Sequence, residues 1–398
     1  MRPHYRFALG LGSVLIVGAS ACGKDESPVA PSAEPELMAA AAVQALVFTQ
    51  VSGGGAHTCG VTAEHKAYCW GANGFGRLGD GSTAEQHAPV PVAGGLSFRQ
   101  VSAGNSHSCG VTTDNLAYCW GYNGNGELGD GTTNSHGTPV PVAGGRRFRE
   151  VHAGLFHTCA LTPANVAFCW GDNASGKLGD GTTTDRLAPV RVQAGGRSLS
   201  QLSVGYHHTC ALGAADSLAY CWGANFAGEL GDGTTTDRPA PVAVRRGLEY
   251  RRMSAGPTGS CAVTTARAAY CWGQNRYGQV GDGTSGFASR RLRPTAVLGG
   301  IQFDNVSTGG GQSCGLTTAN RIYCWGNNFA GQLGDGTTTN RTTPVAVLGG
   351  RLFDRVSAGF SHTCGVTTGD RAFCWGSNNA GQLGDGTTDN RSQPVAVD

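Results

Sequence analysis

Apolar and polar positions alternate in short bursts along this chain. "FRQVSAG" (98–104) alternates, closes on small residues and gives way to "HSCGVTT". A polar turn at Asp114–Asn115 leads into "LAYCWG", a glycine-rich loop follows, and "TPVPV" precedes the next start of the same pattern. Short alternating runs punctuated by turn residues predict four β-strands per unit and no helices of any length. The unit recurs seven times. "CWG" stands at Cys69, Cys119, Cys169, Cys221, Cys271, Cys324 and Cys374, at spacings of 50, 50, 52, 50, 53 and 50 residues, and "GDG" follows each time. Four strands in about 50 residues fits a propeller blade. A linear solenoid needs polar capping repeats, and neither end of the array reads as a cap. The expected fold is all-β: a seven-bladed β-propeller of four-stranded antiparallel blades over residues 44–398. The array opens on an inner-type strand and stops on "PVAV", which leaves open whether both termini share one blade.

Composition adds a second region. Arg2 and Arg6 precede a small-residue apolar run from Phe7 to Gly18, the build of a secretory signal peptide over residues 1–21. The "ASAC" ending at Cys22 resembles the bacterial lipobox, with Ala19 where leucine is commonest, and makes Cys22 the expected lipidation site. Residues 22–43 combine that cysteine with an Ala-, Pro-, Ser- and Glu-rich tether. The protein is therefore expected to be exported and lipid-anchored at the outer membrane or cell surface. A net charge of +2 over 398 residues counts against a general nucleic-acid binder.

With Cys22 set aside, fourteen cysteines form seven pairs: Cys59/Cys69, Cys109/Cys119, Cys159/Cys169, Cys210/Cys221, Cys261/Cys271, Cys314/Cys324 and Cys364/Cys374. The members of each pair lie on opposite arms of a hairpin. In an exported chain that predicts one disulfide per blade, nominally worth about 2.5 to 3 kcal/mol for a loop of this length. A C-x9-C spacing is not that of a structural zinc site, and no metal or cofactor is expected. The tryptophan after each second cysteine points to the other sheet face and suits blade-to-blade packing. The repeated Asn and Asp of N-x-x-G-x-L-G-D-G-T read as a fixed turn, since the intermediate acids of a calcium loop are missing.

The pattern A-G-x-x-H-x-C followed by C-W-G-x-N-x-x-G-x-L-G-D-G-T resembles the regulator of chromosome condensation repeat, in all seven copies. That resemblance implies a seven-bladed propeller and, most often, protein binding: nucleotide exchange on a small GTPase, β-lactamase inhibition, ultraviolet sensing or adaptor roles. It also implies that the loop before H-x-C faces partners near the propeller mouth. His57, His107, His157, His208 and His362 are accordingly candidate rim residues, against a structural alternative in which each bonds a neighbouring backbone group.

Partner choice should lie where the copies diverge. The two positions before H-x-C carry apolar or aromatic residues in three copies, so Leu155, Phe156, Tyr206, His207 and Phe360 are candidate binding residues. Charge diverges too. Nine arginines between residues 245 and 293 stand against Glu249 and Asp282, an excess suited to an acidic partner. A ring of equivalent residues supplies no unlike acid and base, so the expected function is non-enzymatic: a monomeric propeller binding a protein or glycan. A hydrolase or lyase with its site in the central channel is the alternative.

Overall fold

Each copy folds in place. In the computed structural model, which describes residues 46–398, the first copy forms β1 (Phe48–Gly53), β2 (His57–Thr62), β3 (Ala67–Gly71) and β4 (Gln86–Pro91), hydrogen-bonded in that order as one antiparallel sheet. The other six copies repeat it, giving seven four-stranded blades. The expected signal peptide, Cys22 and tether lie outside the described residues. A single turn of 3-10 helix, Phe287–Ser289, is the only helical element among the described residues.

The innermost strands, Phe98–Ala103, Glu150–Ala153, Leu199–Val204, Tyr250–Ala255, Phe303–Thr308 and Phe353–Ala358, touch one another in series, and the last touches β1. The ring is thus closed, and no blade is shared between the two ends of the array. Gly53 N–H donates to Ser357 Oγ (3.0 Å) and the Trp70 indole to Gln382 O (3.0 Å) across the closing junction, the same kinds of bond found at most of the others. Every outer strand carries a proline, for example Pro89 in β4 and Pro344 in the sixth blade. A strand edge that lacks donors resists pairing with other chains.

Alternation along each strand sorts side chains to the two junctions a blade makes. Cys59 and Cys69 sit directly opposite one another in register and face the second blade. Together with Val61, Ala67 and Leu78 they pack on Phe98, Val101 and the fully buried Trp120 of that blade. All seven cysteine pairs are bonded, with S–S distances from 2.05 to 2.16 Å. Each junction therefore sets one blade's disulfide and leucine against the next blade's tryptophan and, at six of the seven, an aromatic ring, with valine replacing leucine at Val280 and Leu199 standing in for the ring at the third–fourth junction. Two glycines of the repeat follow from this geometry. Gly71 sits at φ +105° beside a register shift, and a Cβ there would lie 2.6 Å from Ala56 O. A Cβ on Gly79 would lie 2.6 Å from the Trp120 indole nitrogen, so the "LGDG" loop closes over the tryptophan only as glycine.

Candidate functional site

His57 pairs with Gly71 at the end of the β2–β3 ladder, so the loop before each H-x-C and the long glycine-rich loop after each CWG emerge on one face, around one mouth of the channel.

The histidines themselves do not reach that face. His57, His107, His157, His208 and His362 are fully buried. Each lies within 2.8 to 2.9 Å of a hydroxyl on the next blade: Ser108, Thr158, Thr209, Ser260 and, across the closing junction, Thr58. Each hydroxyl in turn donates to a loop carbonyl of the histidine's own blade, as Ser108 does to Arg77 O (2.9 Å) and Thr158 to Glu127 O (2.8 Å). A hydroxyl whose proton is spent on a carbonyl must accept from the imidazole, which fixes Nε2–H as donor. Burial holds these imidazoles neutral: it lowers His107 and His208 to about 3 and His362 to about 4, and His57 and His157 well below their usual range. The expected rim residues are instead inter-blade latches. Five of the indoles bond the same kind of carbonyl, among them Trp120 on Arg77 O (2.9 Å) and Trp170 on Glu127 O (2.8 Å), whereas the buried Trp222 and Trp375 indoles make no such bond. In the fifth copy Gly259 leaves a small cavity of ≈ 10 Å³ beside Ser313 and Gln312. In the sixth, Gln312 Nε2 donates to Gly359 O (3.0 Å) in the histidine's stead.

The repeated Asn and Asp form a turn clamp. Asn173 Nδ2 donates to Asp180 Oδ1 (3.2 Å) and Asn173 Oδ1 accepts Leu178 N–H (3.0 Å). Asp180 Oδ1 accepts the Thr182 amide (3.0 Å) and hydroxyl (2.7 Å), while Oδ2 takes Arg186 Nε (2.9 Å). Burial pushes this carboxyl up, but the bonds from Thr182, Arg186 and Asn173 outweigh it and hold it below its usual value. Arg238, Arg291, Arg341 and Arg391 clamp the corresponding aspartates in later copies.

The diverging positions are the ones that reach the mouth. Tyr206 of the fourth blade and Phe360 of the seventh stack in parallel, with centroids 5.6 Å apart and planes at 4°. The Tyr206 hydroxyl donates to Asn105 Oδ1 of the second blade (3.4 Å), so three blades meet over the opening. Burial raises the Tyr206 phenol. Phe360 is 46% exposed; Leu155, Phe156 and His207 are half-buried. Phe156 lies beside Tyr122 (6.3 Å), which meets Phe75 edge-on at 5.0 Å. Tyr122 and Phe75 escaped the sequence reading, although both flank the repeated Asn at positions where the copies differ.

Below the stack the channel is polar, and its upper chamber of ≈ 140 Å³ is lined by the Ser-Ala-Gly strand ends. Six of the seven innermost strands carry a hydroxyl that accepts a backbone N–H from the next blade, as Ser52 does from Ala103 (3.0 Å) and Ser307 from Ala358 (2.9 Å). His152 holds the seventh such position, 4.0 Å from Glu150. Lower down, Gln50, Gln100 and Gln201 each bridge the backbone N–H and C=O of the next inner strand, a belt that Arg252, Asn305 and Arg355 do not continue.

The arginines of the fifth copy do not form one patch. Arg291 clamps Asp282, Arg251 and Arg267 converge on Asp304, Arg245 caps Asp232 O, Arg276 lies against the Tyr277 and Phe287 rings, and Arg290 donates to Phe226 O.

Known proteins share this architecture. A forty-five-residue stretch is 44% identical to the Ultraviolet-B receptor UVR8 of Arabidopsis thaliana, covering 11% of this chain and 10% of the receptor's length. Human WBSCR16 superposes with a TM-score of 0.73 at 20% identity, over 80% of this chain and 86% of that one. Prp20p of Saccharomyces cerevisiae, described with its binding to Gsp1p and histones, gives 0.75 at 19% identity over 85% and 87%. At such identities the likeness is one of fold. Family models for the regulator of chromosome condensation (RCC1) repeat match residues 303–332 and 353–382, and residues 320–366 and 370–398. With the RCC1-like domain model matching residues 8–302 as well, the chain belongs to the RCC1-like domain family.

Proposed function

We propose that this protein is a non-enzymatic binding module, exported and held at the cell envelope through Cys22, that captures a protein or glycan on the face bearing the channel mouth. The observation that carries this reading is the contrast on that face. The repeated polar residues are spent on inter-blade bonds and turn clamps, while the diverging ones, Phe156, Tyr206 and Phe360, lie in aromatic pairs at the opening. Half-exposed aromatic clusters of this kind anchor interfaces. Crosslinking in the native envelope should capture a partner, and Phe156→Ala or Tyr206→Ala should abolish the capture. Retention of the captured species by both variants would remove the mouth as its site. The alternative, hydrolysis or elimination in the channel, has in its favour the unlike pair Glu150 and His152 on one inner strand. It requires turnover that disappears in His152→Ala.

A further inference from the structure

Between its GDG aspartate and its clamp arginine the fifth copy is three residues longer than the fourth, sixth and seventh. The added length forms the turn Phe287–Ser289, and it builds a surface the other blades lack. Phe287 is 74% exposed, and the Arg276 guanidinium lies 4.3 Å from its ring centre and 5.1 Å from that of Tyr277. Tyr277 meets Phe329, 66% exposed, edge-on at 5.6 Å. Arg290 donates to the carbonyl of Phe226, itself 53% exposed, at 3.2 Å. The strip continues inward over Gly310 and Gly311. A Cβ on Gly311 would lie 3.2 Å from the Tyr277 ring and one on Gly310 2.8 Å from the Phe360 ring, so the two rings lie close against glycine backbone between rim and mouth.

Charge decides what such a strip would take. Arg291, four residues on from Phe287, is paired with Asp282. Arg276 and Arg290 have no carboxylate within 4.0 Å among the described residues. A cation held against ring faces, as Arg276 is, is partly stripped of water and ready for a carboxylate; Arg290 stands beside it with a single bond to a backbone carbonyl, and exposed rings in contiguous groups mark interaction sites.

We infer that the strip from Phe226 through Phe287 and Phe329 to the mouth binds an extended acidic peptide segment. Its carboxylates pair with Arg276 and Arg290, and its apolar side chains seat between Phe287, Tyr277 and Phe329. This rests on the binding reading above and adds the chemistry of the partner. A line of exposed rings and cations running from rim to mouth suits an extended chain better than a lipid surface, to which two cations would contribute only weak attraction.

The test is fluorescence anisotropy on the full chain with a labelled peptide of three Glu-Gly-Phe-Glu units. Saturable binding is expected. It should weaken about tenfold or more when Lys replaces each Glu of the probe, when Ser replaces each Phe, and in the protein variant Arg276→Glu/Arg290→Glu; Phe287→Ser should act in the same direction. All three protein positions are exposed, and unchanged thermal unfolding verifies the fold of each variant. Equal binding of the Glu and Lys peptides, or binding indifferent to the double variant, would overturn the inference. So would phosphatidylglycerol-containing vesicles that bind with sensitivity to the double variant while the peptide does not bind. Loss of envelope capture on Tyr206→Ala but not on Arg276→Glu/Arg290→Glu would leave the binding function standing and remove this assignment alone.

Discussion

The junction between the first and second blades and that between the fifth and sixth perform the same task with different polar equipment. At the first, His57 donates to Ser108, Ser108 and Trp120 both donate to Arg77 O, and Gln50 bridges Val101. At the second, Gly259 replaces the imidazole and Arg252 the bridging amide, yet Ser313 and Trp325 still donate to Gln279 O, each at 3.0 Å. The apolar set is complete at both: a disulfide, a leucine or valine, a tryptophan and a phenylalanine. The difference teaches which part of the repeat is dispensable. Burial of the tryptophan and its indole bond recur at both junctions, whereas the latch and belt are additions.

If that ranking is right, Trp120→Ala and Trp325→Ala should be equally damaging, each lowering unfolding free energy by about 3 to 5 kcal/mol in urea titrations. A much smaller loss at the fifth–sixth junction would break the equivalence. Acid should separate the two junctions. Unfolded histidines titrate near pH 6.5, whereas His107 and His208 stay neutral in the fold down to about 3 and His362 to about 4. Over that window the unfolded chain binds protons that the native one does not. Stability is therefore full above pH 6.5 and falls as the pH drops, by up to ~1.4 kcal/mol per unit for each latch. Hydrogen exchange at pH 5, corrected for intrinsic rates, should show protection lost at latched junctions before the one at Gly259. The aspartate clamps lose their contribution only lower, below about pH 4. A single latch removed at neutral pH by His107→Ala should cost about 2 kcal/mol, from the orphaned Thr158 acceptor site and the cavity left behind; the readout is a shift in urea midpoint. The smallest effect is a gain. Arg252→Gln extends the amide belt and should stabilise the fifth–sixth junction by about 0.5 to 1 kcal/mol; no rise in melting temperature would show that the belt is ornamental.

Much of this was legible in the sequence because it depends on period and alternation. Six spacings near 50 residues marked out seven blades, and the i, i+1 placement of Cys69 and Trp70 put disulfide and indole on opposite faces, as the clusters confirm. The same alternation could have located the histidines. Each shares a sheet face with the cysteine two residues on, and the residue before that cysteine is Ser or Thr in all seven copies: Thr58, Ser108, Thr158, Thr209, Ser260, Ser313 and Thr363. A hydroxyl facing one neighbour and an imidazole facing the other is a junction bond written in three letters. The Tyr206–Phe360 stack was not legible in the same way. Its members are brought together across the ring, and only the angular order of the blades sets their distance. The division of the fifth copy's arginines among clamp, belt and rim likewise depends on partners such as Asp304 in the next copy.

Each latch runs from the imidazole of one blade to the hydroxyl of the next and back to the first blade's carbonyl, and the closing junction obeys the same rule, from His362 to Thr58 to Gln382 O. The ring accordingly has a sense of rotation but no beginning. Which blade counts as first is a property of the gene; the bonds would accept a cut between any two blades, and the wheel they describe can be read from every spoke.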